Sequence, residues 1–168
     1  RATMDEKRPT APDDIPMTTS EIRITVRWDV NTLSKNRLPR MHPGKRLRLT
    51  QDAHQAAGTG YMLAGRPQLD CPVDVRLVIR RAARLDDDGA RTGSGPCRDR
   101  IFNRAKHGSG ITPDDSDRWY RENEAVEWII GREWKSREEV EFVATPRLGA
   151  HRRSAPAPRW APAWQRTL

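Results

Sequence analysis

The stretch Val73-Asp74-Val75-Arg76-Leu77-Val78-Ile79-Arg80 carries apolar residues at 73, 75, 77 and 79, and Asp86-Asp87-Asp88 follows shortly after its end. Successive side chains of a strand point to opposite faces, so those four residues share one side and mark a strand that begins after Pro72. Working toward the N-terminus, residues 21 to 28 alternate in the same way. Ile22, Ile24, Val26 and Trp28 face one side, and Glu21, Arg23, Thr25 and Arg27 face the other, a half-buried strand. Between the two lies a basic loop broken by Pro39, Pro43 and Gly44, then a helix capped by Thr50 and running to about Ala64. Gly58 and Gly60 weaken the second half of that helix.

Toward the C-terminus, residues 89 to 97 hold three glycines and one proline and read as a loop. A short helix is predicted from about Arg98 to Lys106, ended by His107-Gly108-Ser109-Gly110. Ile111-Thr112-Pro113-Asp114-Asp115 reads as a turn. Val126, Trp128 and Ile130 alternate, as do Val140, Phe142 and Ala144, which suggests two more strands, although residues 119 to 134 also tolerate a helix. The order predicts an α+β domain, with helices packed on one face of a small sheet. It spans residues 21 to 145, between a disordered arm over residues 1 to 20 and a Pro/Arg-rich basic tail over residues 146 to 168.

The 168 residues suit one domain, and 31 basic against 23 acidic residues give a formal charge of +8. Such an excess favours a polyanionic partner, because each neutralised phosphate releases counterions. Lys35, Arg37, Arg40, Lys45, Arg46 and Arg48 form a run without an acidic residue, and Arg80, Arg81 and Arg84 precede the aspartate triplet. No stretch is long and apolar enough to span a membrane and no secretory signal is evident, so the expected compartment is the cytoplasm. Cys71 and Cys97 cannot by themselves make a disulfide framework or a four-ligand zinc site.

The chemistry points to the two acidic clusters. Magnesium takes oxygen ligands and keeps several waters, so two or three carboxylates plus phosphate oxygens suffice. In an extended segment Asp86 and Asp88 fall on the same side and can share an ion, and Asp114 or Asp115 from a distant turn can close the site. The plain alternative for such runs is a solvated turn or a helix cap. His42 and His54 are candidate metal ligands or general bases, against the plainer readings of a solvated loop residue and a helix-surface residue, and His107 reads as a helix C-terminal residue favoured by the dipole. Trp119, Trp128 and Trp134 read as core or interface residues, whereas Trp160 and Trp164 in the tail are candidates to stack on bases.

These elements together resemble the RusA family of Holliday-junction resolvases. Ser34-Lys35-Asn36 matches the family's Ser-x-Asn element after the first strand, and Arg48-Leu49-Thr50 matches its basic-Leu-Thr step into a helix. Arg80-Arg81 and Arg84 before Asp86-Asp87-Asp88-Gly89 match its arginine-rich stretch and Asp-x-Asp-Asn motif. Ile111-Thr112-Pro113-Asp114-Asp115-Ser116 matches its hydrophobic-x-Pro-Asp-Asp-Ser turn. The resemblance covers about residues 22 to 145. It implies Mg2+-dependent hydrolysis of branched DNA by a homodimer, with Asp86, Asp88 and Asp115 as catalytic metal ligands and Asp114 as a helper. DNA contacts are expected from Lys35, Asn36, Arg37, Arg40, Lys45, Arg46, Arg48, Arg81 and Arg84.

Three departures stand out, one of them the Gly-rich segment before Asp99 where the family has a helix. Gly89 occupies the motif's Asn position, and no lysine lies between Lys45 and Lys106, so the family lysine's role is lost or falls to Arg91 or Arg98. Arginine stays protonated and donates a proton poorly, but it stabilises phosphate charge. A rival expectation is therefore a non-catalytic DNA-binding protein descended from such a nuclease. A third is an RNA-binding protein whose basic tail orders on its target.

Overall fold

The computed structural model describes residues 20–147, so most of the expected arm and tail lies outside the described residues. The elements in chain order are β1 (Ile22–Val26), α1 (Pro43–Leu63), β2 (Val73–Arg81), α2 (Asp87–Gly93), α3 (Gly95–Phe102), α4 (Arg104–His107), β3 (Tyr120–Glu122), β4 (Glu127–Ile130) and β5 (Glu139–Pro146). Short 3-10 turns occupy Val30–Leu33, Leu38–Arg40 and Arg132–Trp134. The fold is α+β around a mixed sheet.

The predicted strand at residues 73 to 80 is the sheet's axis. It pairs antiparallel with β5, which pairs antiparallel with β1, and its other edge carries β3 and β4, both parallel to it. Val73, Val75, Leu77 and Ile79 are fully buried, together with Ile24 and Val26 of β1 and Val140, Phe142 and Ala144 of β5. They meet Ala53, Ala57 and Tyr61 of α1 and Cys97, Ile101 and Phe102 of α3, so the helices cover one face, as expected. The opposite face is closed by ion pairs. Glu141, almost fully buried, accepts from Arg23 at 3.2 Å and Arg80 at 3.0 Å, and Arg76 joins Glu127 at 2.9 Å and Glu21 at 3.3 Å.

The helices differ most from expectation. The first begins at Pro43, two turns before the expected cap Thr50. Proline suits a helix's first turn, where its missing N–H has no partner to lose, and the His42 side chain accepts from the Gly44 N–H at 3.0 Å. The basic stretch is thus a loop only as far as His42. Gly60 does not end the helix. A Cβ there would collide with the Thr25 carbonyl oxygen, so glycine is what lets α1 lie against β1.

Residues 89 to 97 are likewise not a loop but the body of α2 and the start of α3. Gly93 is buried where a Cβ would overlap the Val30 carbonyl oxygen, and Pro96 sits in the first turn of α3. These residues serve close packing and helix initiation, uses that look the same as turn chemistry in a sequence. The helix expected from Arg98 to Lys106 is instead α3 and α4, separated at Asn103. The helical option for residues 119 to 134 gives way to β3 and β4, with only the 3-10 turn Arg132–Trp134 helical.

Candidate functional site

The aspartate triplet does not lie in extended chain, so Asp86 and Asp88 do not share a side by strand alternation. Asp86 is the N-cap of α2, its carboxylate accepting from the Gly89 N–H at 2.9 Å, and Asp87 and Asp88 form the first helical turn. Acidic residues belong there because the helix N-terminus is the positive end of the backbone dipole.

Each aspartate has its own task. Asp87 reaches β4, accepting from the Trp128 indole N–H at 3.0 Å and the Val126 N–H at 3.3 Å. Between β3 and β4 the edge chain carries more residues than β2 opposite, since Val75 pairs with Glu122 but Val78 with Glu127. That bulge frees the Val126 N–H, and Asp87 satisfies it. Its carboxyl is held below the ordinary range, chiefly by the Trp128 hydrogen bond. Asp88 points outward, with 70% of its side chain exposed, and pairs with Arg91 at 3.3 Å.

Arg91 continues the network to Glu122 at 3.3 Å and the Asn123 carbonyl at 3.3 Å, and Arg98 of α3 lies 3.6 Å from the same Glu122. The Tyr120 hydroxyl donates to Glu122, and burial with that carboxylate beside it holds Tyr120 well above the ordinary tyrosine range. A cavity of about 520 Å³ opens here, lined by Arg98, Asp115, Asp117, Tyr120, Arg121 and Glu122. Asp115 is thus in the cavity, and Asp88 is linked to its wall through Arg91 and Glu122. Asp114 instead accepts from the Ser116 N–H at 2.9 Å and shapes the turn. Sequence reasoning missed Glu122 and Tyr120. The signal was slight, two residues at strand spacing in an element only three long.

The basic residues divide. Asn36, Arg37, Arg40 and Lys45 line a second cavity of about 260 Å³ with Met41 and His42. Lys35, Arg46 and Arg48 are exposed nearby in sequence, the latter two on the first turns of α1. Arg81 is different: only 12% of its side chain is exposed, and it pairs with Asp29 at 2.9 Å. Arg84 is exposed, over the Trp128 ring and near Asp87.

A further group joins one of the candidate histidine ligands, His54, to two residues not expected beside it. His54 on α1, Asp99 on α3 and His107 at the end of α4 place their ligand atoms within 4.8 Å of one another, and this set can hold a metal ion. Asp86, Asp88 and Asp115 are not brought into such a group. Burial raises the Asp99 carboxyl, but hydrogen bonds from His107, Lys106 and Asn103 outweigh it and hold it at about 2. His54 is pushed down, first by burial and then by the neighbouring His107. Cys97, fully buried against α1, is pushed up to about 12 by burial, which leaves it an inert thiol.

A scan against protein-family models and a search of curated proteins each returned no match. Among the described residues no helix is long and apolar enough to cross a membrane.

Proposed function

We propose that the chain is a magnesium-dependent endonuclease acting on branched DNA in the manner of the RusA resolvases it resembles. The observation that carries this reading is the cavity in which Asp115 meets Arg98, Arg121 and Glu122, with Asp88 joined to Glu122 through Arg91. Carboxylates beside arginines are what phosphodiester hydrolysis needs, one set to hold a hard cation and the other to hold phosphate. The donors fit magnesium by type. Asp88 and Asp115 offer carboxylate oxygens, and Asp86 keeps an oxygen beyond the one that caps α2. Magnesium is commonly held by one or two carboxylates, with waters and substrate phosphates completing its shell, so a closed protein cage is not required.

When bound, the ion would acidify a water and offset charge on the scissile phosphate. Arg91 and Arg98 would fix the phosphate, taking the role that the resemblance gives to the family lysine. Arg37, Arg40 and Lys45, with Arg46 and Arg48 on α1, hold the flanking backbone. Arg81, committed to Asp29, positions β2 rather than the nucleic acid. A homodimer suits a four-way junction, whose two-fold symmetry matches two identical sites.

Cleavage of a labelled junction in magnesium and in EDTA tests the reading. Magnesium-dependent nicks that fall roughly 10³-fold in Asp115→Asn support it, since losing a ligand forfeits several kcal/mol at the transition state. The separation of the three aspartates and Gly89 favour a second reading, a DNA-binding protein that has lost its chemistry. It requires junction binding with no cleavage at any magnesium concentration.

A further inference from the structure

We infer that His54, Asp99 and His107 form a structural site for a divalent transition ion of the zinc class, one that staples α1 to α3 and α4. The inference does not depend on the nuclease reading.

The geometry converges on one atom. Oδ2 of Asp99 lies 3.4 Å from Nε2 of His54 and 2.9 Å from Nε2 of His107. Ligands about 2.0–2.2 Å from a tetrahedral zinc stand about 3.3 Å from one another, so these separations already approach the coordinated ones. The rings meet edge to face, with centroids 5.1 Å apart, so both nitrogens address a common volume without stacking. The other oxygen, Oδ1, accepts from the Asn103 side chain at 3.1 Å. That bond orients the carboxylate and leaves Oδ2 as a single ligand, the outer support that metal-binding carboxylates characteristically have.

The donor set selects the ion. Two imidazole nitrogens and one carboxylate suit zinc, cobalt, nickel or ferrous iron, not magnesium, which prefers oxygen alone. Lys106 competes for the site, its Nζ lying 2.9 Å from Oδ2. That side chain is 58% exposed and can swing into water, and an exposed ion pair of this kind is worth about 1 kcal/mol or less. The histidines and Asp99 are 16–26% exposed, shielded yet reachable by an ion from solvent.

The position gives the staple a consequence. The Arg104 and Ala105 N–H groups of α4 donate to the Thr112 and Pro113 carbonyls at 3.1 and 2.9 Å, and the Thr112 hydroxyl donates to Phe102 at 2.8 Å. The turn that carries Asp114 and Asp115 is therefore hung from the helices the ion would join.

The test uses the full chain stripped with EDTA, with His42 and His151 changed to Ala to remove the other histidines. Cobalt(II) and zinc(II) are the probes. One equivalent of cobalt should bind with a visible d–d absorption, zinc should displace it, and zinc should raise the thermal midpoint by roughly 5 °C. His54→Gln and His107→Gln, each melted in EDTA to establish that it folds, should each lose the absorption and weaken zinc binding at least tenfold, whereas magnesium should compete with neither ion. Failure to bind one equivalent, or binding that both glutamine variants retain, overturns the inference.

Discussion

At the scale of the residue, the three neighbouring aspartates show how one short run can serve several ends. Asp86 caps α2, Asp87 closes the bulge of the sheet edge, and Asp88 faces solvent beside Arg91. Removing the second is a structural insult. Asp87→Ala should cost about 1–3 kcal/mol, because the buried Val126 N–H loses its acceptor, and chemical denaturation reads the loss. Gly93 is equally unforgiving. Gly93→Ala forces a methyl against the Val30 carbonyl and should destabilise by about 2–3 kcal/mol, whereas at Gly95 the nearest atom is an Arg98 terminal nitrogen 3.5 Å away and alanine should be nearly neutral. Asp99 governs acid stability in the metal-free protein. Its folded pKa of about 2 lies below the ordinary 3.8, so the unfolded chain takes up the proton first as pH falls. The stabilisation is complete above about pH 4 and is lost between about pH 4 and 2. Asp99→Asn should therefore lower stability at pH 7 by on the order of 2 kcal/mol and flatten the melting curve's dependence on pH across that window.

At the scale of the element, β1, β2 and the C-terminal strand were legible because each sets alternate apolar residues on the helix-covered face, although Glu141 and Val143 of the last are buried on the other face too. The three-residue β3 offered too short a pattern, and its bulge broke the register with β4. Residues 89 to 97 misled because Gly93 answers to a carbonyl far away in sequence, a requirement that no local rule contains. The position of the acidic triplet just beyond β2 was readable, but its helical conformation was not. His54, Asp99 and His107 belong to three helices whose packing alone brings them together, so each in isolation looked like a surface residue. The first turns of α1 stand clear of the core and carry Lys45, Arg46 and Arg48, all exposed. Replacing these three by Gln should leave stability within about 0.5 kcal/mol. It should also weaken junction binding and reduce the salt slope by about 2–3, measured by titrations across ionic strength.

At the scale of the whole molecule, the sheet separates two environments. One face is an apolar core under the helices, and the other is a lattice of arginine and glutamate in which Glu141 bridges β1 and β2. The cavity with Asp115 lies where α3, β3 and the turn that carries Asp115 and Asp117 meet. A nuclease of this design should separate binding from chemistry. On the proposed reading, the basic residues of the 3-10 turn and α1 would supply affinity, and the carboxylates would supply cleavage. The most direct measurement compares wild type with Asp115→Asn for junction affinity and for single-turnover cleavage in magnesium. The expected result is affinity within about threefold and cleavage reduced roughly 10³-fold. Tight binding by a wild-type chain that makes no nick in magnesium would contradict the hydrolytic reading and leave a junction-binding protein in its place.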